Sequence, residues 1–357
     1  MKTIAVIGTR GFPGIQGGVE AHSYHLYTHM DDVKVRLYRR RAYLTDQSSQ
    51  PLPNIEYIDL PSTRIKGFEA VWHTLLSVGH ILFHRPDVVH IHNIGPGMFA
   101  PVLRLFGLPV VLTYHSPNYE HSKWNTAARW LLKQCERLSL RFSNRVIFVN
   151  RHQMEKCGAL DKSVFIPNGI DPVTRSEDTA FLEKHGITPG GYLLAVGRLT
   201  PEKGFEYLVE GANRLPQVTQ VVIAGASDHD SAYRDQLERL DTNHKVIFTG
   251  FTTGEDLRQL YSHARALVLP SVNEGFPMVL LEAMGYGLPI VCSDIPGTRQ
   301  VALPEQDYFT VKDVDSLCAA ITRLLDTSAK SQHYDLEHYN WGTIAVEVQN
   351  QYDLAIR

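Results

Sequence analysis

The sequence predicts an α/β protein of two parallel-sheet domains in tandem. Three observations predict it. Short apolar runs of strand length alternate with stretches of helical spacing, the pattern of strand-helix repeats in a parallel sheet rather than of hairpins. The length, 357 residues, suits two domains of ordinary size, each with a full core. Between the two strand-helix series stands Ile166-Pro-Asn-Gly-Ile-Asp171, a turn where one domain would end and the next begin. The expected division is residues 1–168, residues 169–335, and a terminal helical segment 336–357.

In the first series, Lys2–Ile7 reads as a strand, Gly8–Gly18 as a glycine-bearing loop and Val19–Met30 as a helix. Glu20 is a favourable charge near that helix start. The glycine spacing is not GxGxxG, and the next strand, Lys34–Tyr38, ends in Arg39-Arg40-Arg41 where a dinucleotide fold would place an acid for a ribose hydroxyl. A nicotinamide cofactor is therefore disfavoured. Asp87–Ile91 is a strand with His90 and His92 on one face, and the β-branched strand Val110–Tyr114 delivers His115 to its carboxyl end. Three such histidines invite a metal reading. It is disfavoured because no carboxylate stands at ligand spacing.

Residues Trp124 to Arg145 have helical spacing, with Arg129, Lys133, Arg137, Arg141 and Arg145 at intervals of four. Such an interval drifts slowly round a helix, so these cations form one stripe, flanked by Trp130, Leu131, Leu138 and Phe142. A stripe of this kind is either a solvated face or a peripheral contact with anionic lipid, to which Arg36, Arg39, Arg40, Arg41, Arg64 and Lys66 would add. No base-reading module accompanies the charge, so nucleic acid is not an expected partner. A strand, Arg145–Val149, closes the series.

The second series runs through Tyr192–Val196, Phe205–Leu215, Gln220–Ala224, Tyr233–Leu240, Val246–Thr249 and Leu257–Ala264, and a last helix is expected over Trp341–Ile356. Its most informative stretch is Ser271–Asp294. Arg265–Pro270 is strand-like, and Met278–Tyr286 is a buried helix closed by Gly287. That places Glu274 in the loop at a strand's carboxyl end and Glu282 on the helix that follows. Ligands bind at such ends in open α/β sheets, and amides at a helix start, approached past Ser271 and Gly275, suit an anion. An acid near a helix start is also simply favoured by the dipole. Company argues for more: Gly197-Arg-Leu-Thr-Pro-Glu-Lys-Gly204 follows another strand and brings Arg198 and Lys203 to the same half of the chain.

In this order, the Gly8–Gly18 loop, His90-Ile-His92, Tyr114-His115, the 166–171 turn, Gly197–Gly204, Thr249-Gly250-Phe251 and Glu274–Glu282 resemble the retaining glycosyltransferases of family 4. The resemblance implies the GT-B fold, two Rossmann-like domains facing each other across a cleft, with the terminal helix crossing back to the first. It implies a hexosyltransferase using a nucleoside diphosphate sugar, with no cofactor and no metal. It makes His115, Arg198, Lys203 and Glu274 catalytic, and makes Gly17, Gly18, Gly250, Phe251, Gly275, Phe276, Pro277, Met278, Val279 and Glu282 donor-binding. On this reading Arg198 and Lys203 neutralise the leaving diphosphate, Glu282 accepts from ribose hydroxyls and Glu274 from the transferred sugar. The chain departs from the common pattern at Gly275-Phe-Pro-Met-Val279, at Gln300 where a glutamate is frequent, and at Ile223-Ala-Gly-Ala-Ser227, which lacks a second glycine.

Composition sets the remaining bounds. No window of 18 apolar residues exists, so a spanning helix is not expected, and the apolar run at Met1–Gly8 is too short for a signal peptide. Four scattered cysteines without a CxxC pair suit reduced thiols in a cytoplasmic protein. The net charge of −3 hides an asymmetry: residues 1–170 hold 20 Lys and Arg against 12 Asp and Glu, and the rest hold 15 against 26. A basic first domain fits a lipid-linked or phosphate-bearing saccharide acceptor, as in bacterial surface polysaccharide assembly, at the inner face of the membrane. The alternatives are a glycoside hydrolase or phosphorylase using Glu274 and Glu282 as paired carboxyls, and a nucleotide-sugar-binding protein without catalysis.

Overall fold

Two parallel sheets carry the chain. The computed structural model describes residues 1–63, 68–117, 119, 125–158, 160–227, 232–326 and 332–357. In the first unit, Met1–Gly169 with Tyr339–Arg357, the strands are β1 Lys2–Ile7, β2 Val33–Arg40, β3 Ile55–Leu60, β4 Val88–His92, β5 Val110–Tyr114, β6 Arg145–Phe148 and β7 Ser163–Phe165. They lie in the order β3-β2-β1-β4-β5-β6-β7, all parallel. The second unit, Ile170–His338, holds β8 Tyr192–Val196, β9 Gln220–Ala224, β10 Val246–Gly250, β11 Ala266–Leu269, β12 Ile290–Ser293 and β13 Tyr308–Phe309 in the order β10-β9-β8-β11-β12-β13, again parallel. Both sheets reverse their winding once, between β1 and β4 and between β8 and β11. Those are the points where neighbouring loops diverge and leave a crevice at the carboxyl ends.

Right-handed crossovers place the helices. In the first unit, helix Gly18–Thr28 packs with Trp341–Ile356 on one face of the sheet. Helices Glu69–Phe83, Ala100–Leu105 and Thr126–Phe142 connect strands that step the other way and cover the opposite face, where Val78, Ile81, Ala100, Leu103 and Leu140 share one core with β4, β5 and β6. The second unit has its own core of Leu193, Ala195, Phe205, Leu208, Val221, Ile223, Val268, Val291 and Leu317. β4 and β5 are buried along their whole length because both faces of the sheet are covered, and His90 and His92 of β4 are buried with the rest.

The structure corrects several expectations. The basic helix is Thr126–Phe142, not Trp124–Arg145; Trp124 lies outside the described residues, as do Arg64 and Lys66. Asn125 caps it by accepting from the Ala128 amide at 2.9 Å. It stops at Ser143 because Asn144 pairs with the sheet edge, its amide 2.8 Å from the Val110 carbonyl and its Oδ1 2.9 Å from the Val110 amide. Arg145 therefore opens β6, where its Nε donates to Gln351 Oε1 at 2.9 Å, so four cations share the helix rather than five. β2 extends to Arg40 and buries Arg39 and Arg40. Arg39 grips Asp59 at 2.7 and 2.9 Å and stacks on Tyr57, while Arg40 faces Glu69. Neither adds to a surface patch. The sequence reading also assigns no element to Glu69–Phe83, because the pattern there is inverted: His73, Thr74 and Ser77 face inward and Val71, Trp72 and Leu75 outward.

Candidate active site

The loops after β8 and β11 meet at the winding reversal of the second sheet. The Val272 amide donates to the Glu202 carbonyl at 2.9 Å, tying the two together. Gly204 ends the short Pro201–Lys203 turn in the left-handed region, φ 63°, and a Cβ there would lie 2.3 Å from the Pro270 carbonyl oxygen. Across this junction Lys203 Nζ lies 2.6 Å from Glu274 Oε1, and the buried Ser271 hydroxyl donates to the same oxygen at 2.7 Å. Both contacts fall on Oε1, so the carboxylate is oriented through one oxygen. The ammonium and the carboxylate are mostly buried, at 18% and 12% side-chain exposure.

Gly275, Phe276 and Pro277 lead from Glu274 into helix Met278–Gly285, whose start carries Met278 and Val279. Phe276 and Pro277 are buried and fix the entry of the chain. Glu282, one turn further on, accepts a hydrogen bond from the Tyr261 hydroxyl, and Tyr261 stacks flat on Tyr286 with ring centroids 5.1 Å apart. Burial, and then Glu282 beside it, pushes the Tyr261 hydroxyl well above its ordinary value, which keeps it a donor. Arg198 stands in the loop after β8, half-buried. At the same sheet edge Gly250 bridges to Gly225, and Phe251 presents a ring that is 43% exposed.

Sequence reasoning missed the residue that backs this site. Gly297 follows β12, and a Cβ built on it would fall 2.4 Å from the Glu274 carbonyl oxygen and 2.8 Å from the Glu274 Cβ. Its φ is an ordinary −69°, so the requirement is space rather than backbone freedom. Gly297→Ala is expected to displace the Glu274 loop and lower kcat about 10²-fold. Steady-state kinetics check this, and wild-type rates in a folded variant refute it.

Gly17, Gly18 and His115 belong to the first unit. Gly17 opens helix Gly18–Thr28 at φ 154°, where a Cβ would meet Glu20 Oε2 at 2.0 Å. Glu20 is more than a helix-start charge: it is buried, and its Oε1 accepts from the Arg10 amide at 2.9 Å, closing the loop on itself. Gly18 has no neighbour within 4 Å of a Cβ, so steric need is not what puts glycine there. His115 Nε2 lies 2.9 Å from His92 Nδ1, and His92 Nε2 lies 2.8 Å from the Tyr27 hydroxyl. That hydroxyl and the one of Tyr352 both stand 2.7 Å from His90 Nδ1, while His90 Nε2 meets Thr113 Oγ1 at 2.7 Å. A relay of neutral groups thus runs from the terminal helix to His115. Burial holds His92 and His115 well below the ordinary histidine value and His90 at about 3.

His22, not His90, joins His92 and His115, with ligand-type atoms within 4.8 Å of one another. His22 Nδ1 is 2.8 Å from Asn168 Oδ1, and both His92 nitrogens and His115 Nε2 are already hydrogen-bonded, while His22 Nε2 is buried with no partner among the described residues. Burial pushes His22 down to about 4.

Two doubly wound units, with a cation and an acid joined at the winding reversal of the second, define a protein of the nucleotide-binding α/β class. Comparison narrows it. Residues 16–173 match the family described as Glycosyltransferase Family 4, and residues 178–341 match Glycosyl transferases group 1. An uncharacterized glycosyltransferase of Methanocaldococcus jannaschii is 33% identical over 76% of this chain and 76% of its own. An Escherichia coli protein named UDP-Gal:α-D-GlcNAc-diphosphoundecaprenol α-1,3-galactosyltransferase is 29% identical over 67% of this chain and 66% of its own. Among solved structures, sucrose-phosphate synthase from Thermosynechococcus elongatus superposes with a TM-score of 0.85 at 22% identity, covering 99% of this chain and 98% of that one. The chain belongs to the family 4 glycosyltransferases and has the GT-B fold.

Proposed function

We propose that the protein is a retaining glycosyltransferase that moves a hexose from a nucleoside diphosphate to a saccharide or lipid-linked acceptor in surface polysaccharide assembly, without a bound metal. The observation that carries the proposal is the Lys203–Glu274 pair held between two strand ends, with both protein contacts on one carboxylate oxygen. When the bond from the anomeric carbon to the diphosphate breaks, its electron pair stays on the diphosphate, and that growing charge is what the site must neutralise. Lys203, Arg198 and the amides opening helix Met278–Gly285 supply positive groups for it. Glu274 accepts from sugar hydroxyls, Glu282 from the ribose, and Gly250 and Phe251 lie along the base. His115, kept neutral by burial, donates a hydrogen bond to the donor sugar, with Gly17 and Gly18 opening space for the diphosphate. The Escherichia coli relative's name, which gives a UDP-sugar donor and a diphosphoundecaprenol acceptor, supports the donor and acceptor classes.

A hydrolase reading draws less from the same residues. Glu274 and Glu282 each accept from a neighbouring donor, Lys203 and Tyr261, so neither is arranged as the proton donor that hydrolysis needs. The test is calorimetry with UDP, GDP and dTDP, then assay of nucleoside diphosphate release and proton NMR of the product's anomeric centre. Retention of the donor's configuration is expected. Inversion, or binding without acceptor-dependent turnover, overturns the reading.

Glu282→Ala should raise the donor KM about 10- to 100-fold, the worth of hydrogen bonds to a charged group. Arg198→Ala should act mainly on kcat. Equal, wild-type kinetics in both variants would refute the site.

A further inference from the structure

The two units share a topology but not a surface. Of 18 exposed large hydrophobic side chains among the described residues, 12 lie on helices Glu69–Phe83, Ala100–Leu105 and Thr126–Phe142 or on the residue flanking one of them, whereas the second unit exposes only Phe251. These three helices form one layer over one face of the first sheet. Trp130 is 64% exposed and Leu105 83%. Phe68 stacks on Trp72 in the open, ring centroids 6.2 Å apart.

Charge is distributed over the same layer. Each step of four residues advances about 40° round a helix, so Arg129, Lys133, Arg137 and Arg141 form an oblique stripe. Trp130 falls within it, Leu131, Leu138 and Phe142 border it, and Cys135 and Ser139 face the core beyond. Among the described residues none of the four cations pairs with a carboxylate; Lys133 and Arg141 lie near the rings of Tyr119 and Phe142 instead. Aromatic and leucine side chains beside unpaired cations are what a helix lying in a lipid interface presents. A patch covered by a second copy would need a complementary acidic stripe, which this layer does not offer.

We propose that the outer face of this helical layer docks on a bilayer rich in anionic lipid, with Trp130, Leu131, Trp72 and Leu105 entering the headgroup boundary and the four cations meeting lipid phosphates. Docking of this kind is peripheral, since among the described residues no helix is long and apolar enough to cross a membrane. It does not depend on the donor chemistry, and its assay contains no sugar.

The test is flotation of the full chain with vesicles of phosphatidylcholine alone and of phosphatidylcholine mixed with phosphatidylglycerol. Binding is expected to the mixed vesicles, to fall with salt, and to weaken about fivefold for each cation replaced in an Arg129→Gln, Lys133→Gln, Arg137→Gln, Arg141→Gln series. Trp130→Ser with Leu131→Ser should weaken binding while leaving its salt dependence in place. Thermal melts confirm that these surface variants fold. Absence of binding to the mixed vesicles, equal binding to neutral vesicles, or variants that bind like wild type would each overturn the proposal. So would a concentration-dependent dimer that Trp130→Ser dissociates and vesicles do not compete with, which would assign the surface to a second copy.

Discussion

Lys203→Ala is expected to lower kcat/KM about 10²- to 10³-fold, the usual cost of removing one preorganised donor from a site where charge develops. It should also cost stability, for a reason separate from catalysis. Among the described residues Lys203 is the cation that meets Glu274 Oε1, and its loss leaves a mostly buried carboxylate held by the Ser271 hydroxyl. Breaking one side of a fully buried pair costs about 3–5 kcal/mol; with both side chains partly solvated, about 1–2 kcal/mol is expected here. Lys203→Ala combined with Glu274→Gln removes the stranded charge, so urea unfolding should recover most of the lost stability while activity stays down. A double variant as unstable as the single one would show that the pair is not what joins the two loops. One as active as wild type would show that the pair is not at the reaction centre.

The second large effect is with pH. His22, at about 4, and His90, at about 3, are held down chiefly by burial, as are His92 and His115; His73 is also held at about 4 by burial and then by Arg40. A histidine with a folded value below its unfolded one binds fewer protons when native. As pH falls through about 6.5 the unfolded chain takes up protons that the native chain refuses, so stability declines from there toward pH 4 and is unaffected above about 7. Each histidine contributes about 1.4 kcal/mol per pH unit across that window. Several acting together should make the first unit open well above the pH at which carboxylates protonate. Urea titrations at pH 7.5, 6 and 5 measure this, with His73→Phe as a variant that should flatten the slope by one proton. Stability that is constant from pH 7 to pH 5 would refute it.

Both effects depend on residues far apart in the chain. Lys203 and Glu274 are separated by 71 positions and Tyr352 from His90 by 262, yet each pair is in hydrogen-bond contact. The glycine loop, the strand that delivers His115 and the joint of Glu274 and Glu282 could be placed from local patterns alone. The partners of those residues could not. Gly297 gave no local signal, because its role is to leave room for the Glu274 loop, and neither a motif nor a positive φ marks it. Arg39 and Arg40 looked like surface charge because their acids, Asp59 and Glu69, arrive from later elements.

By itself the sequence determined the class of fold, a series of its strands and helices, and the loops that carry the candidate site residues, since apolar periodicity and turn chemistry act over a few residues and are written there directly. Only the tertiary structure decided which groups meet. It put His22 rather than His90 beside His115, ended the basic helix at Phe142, and turned Val71, Trp72 and Leu75 of helix Glu69–Phe83 outward. The physical reason is that the order of strands in a parallel sheet is set by crossovers spanning dozens of residues, and that order, not spacing along the chain, determines which side chains become neighbours.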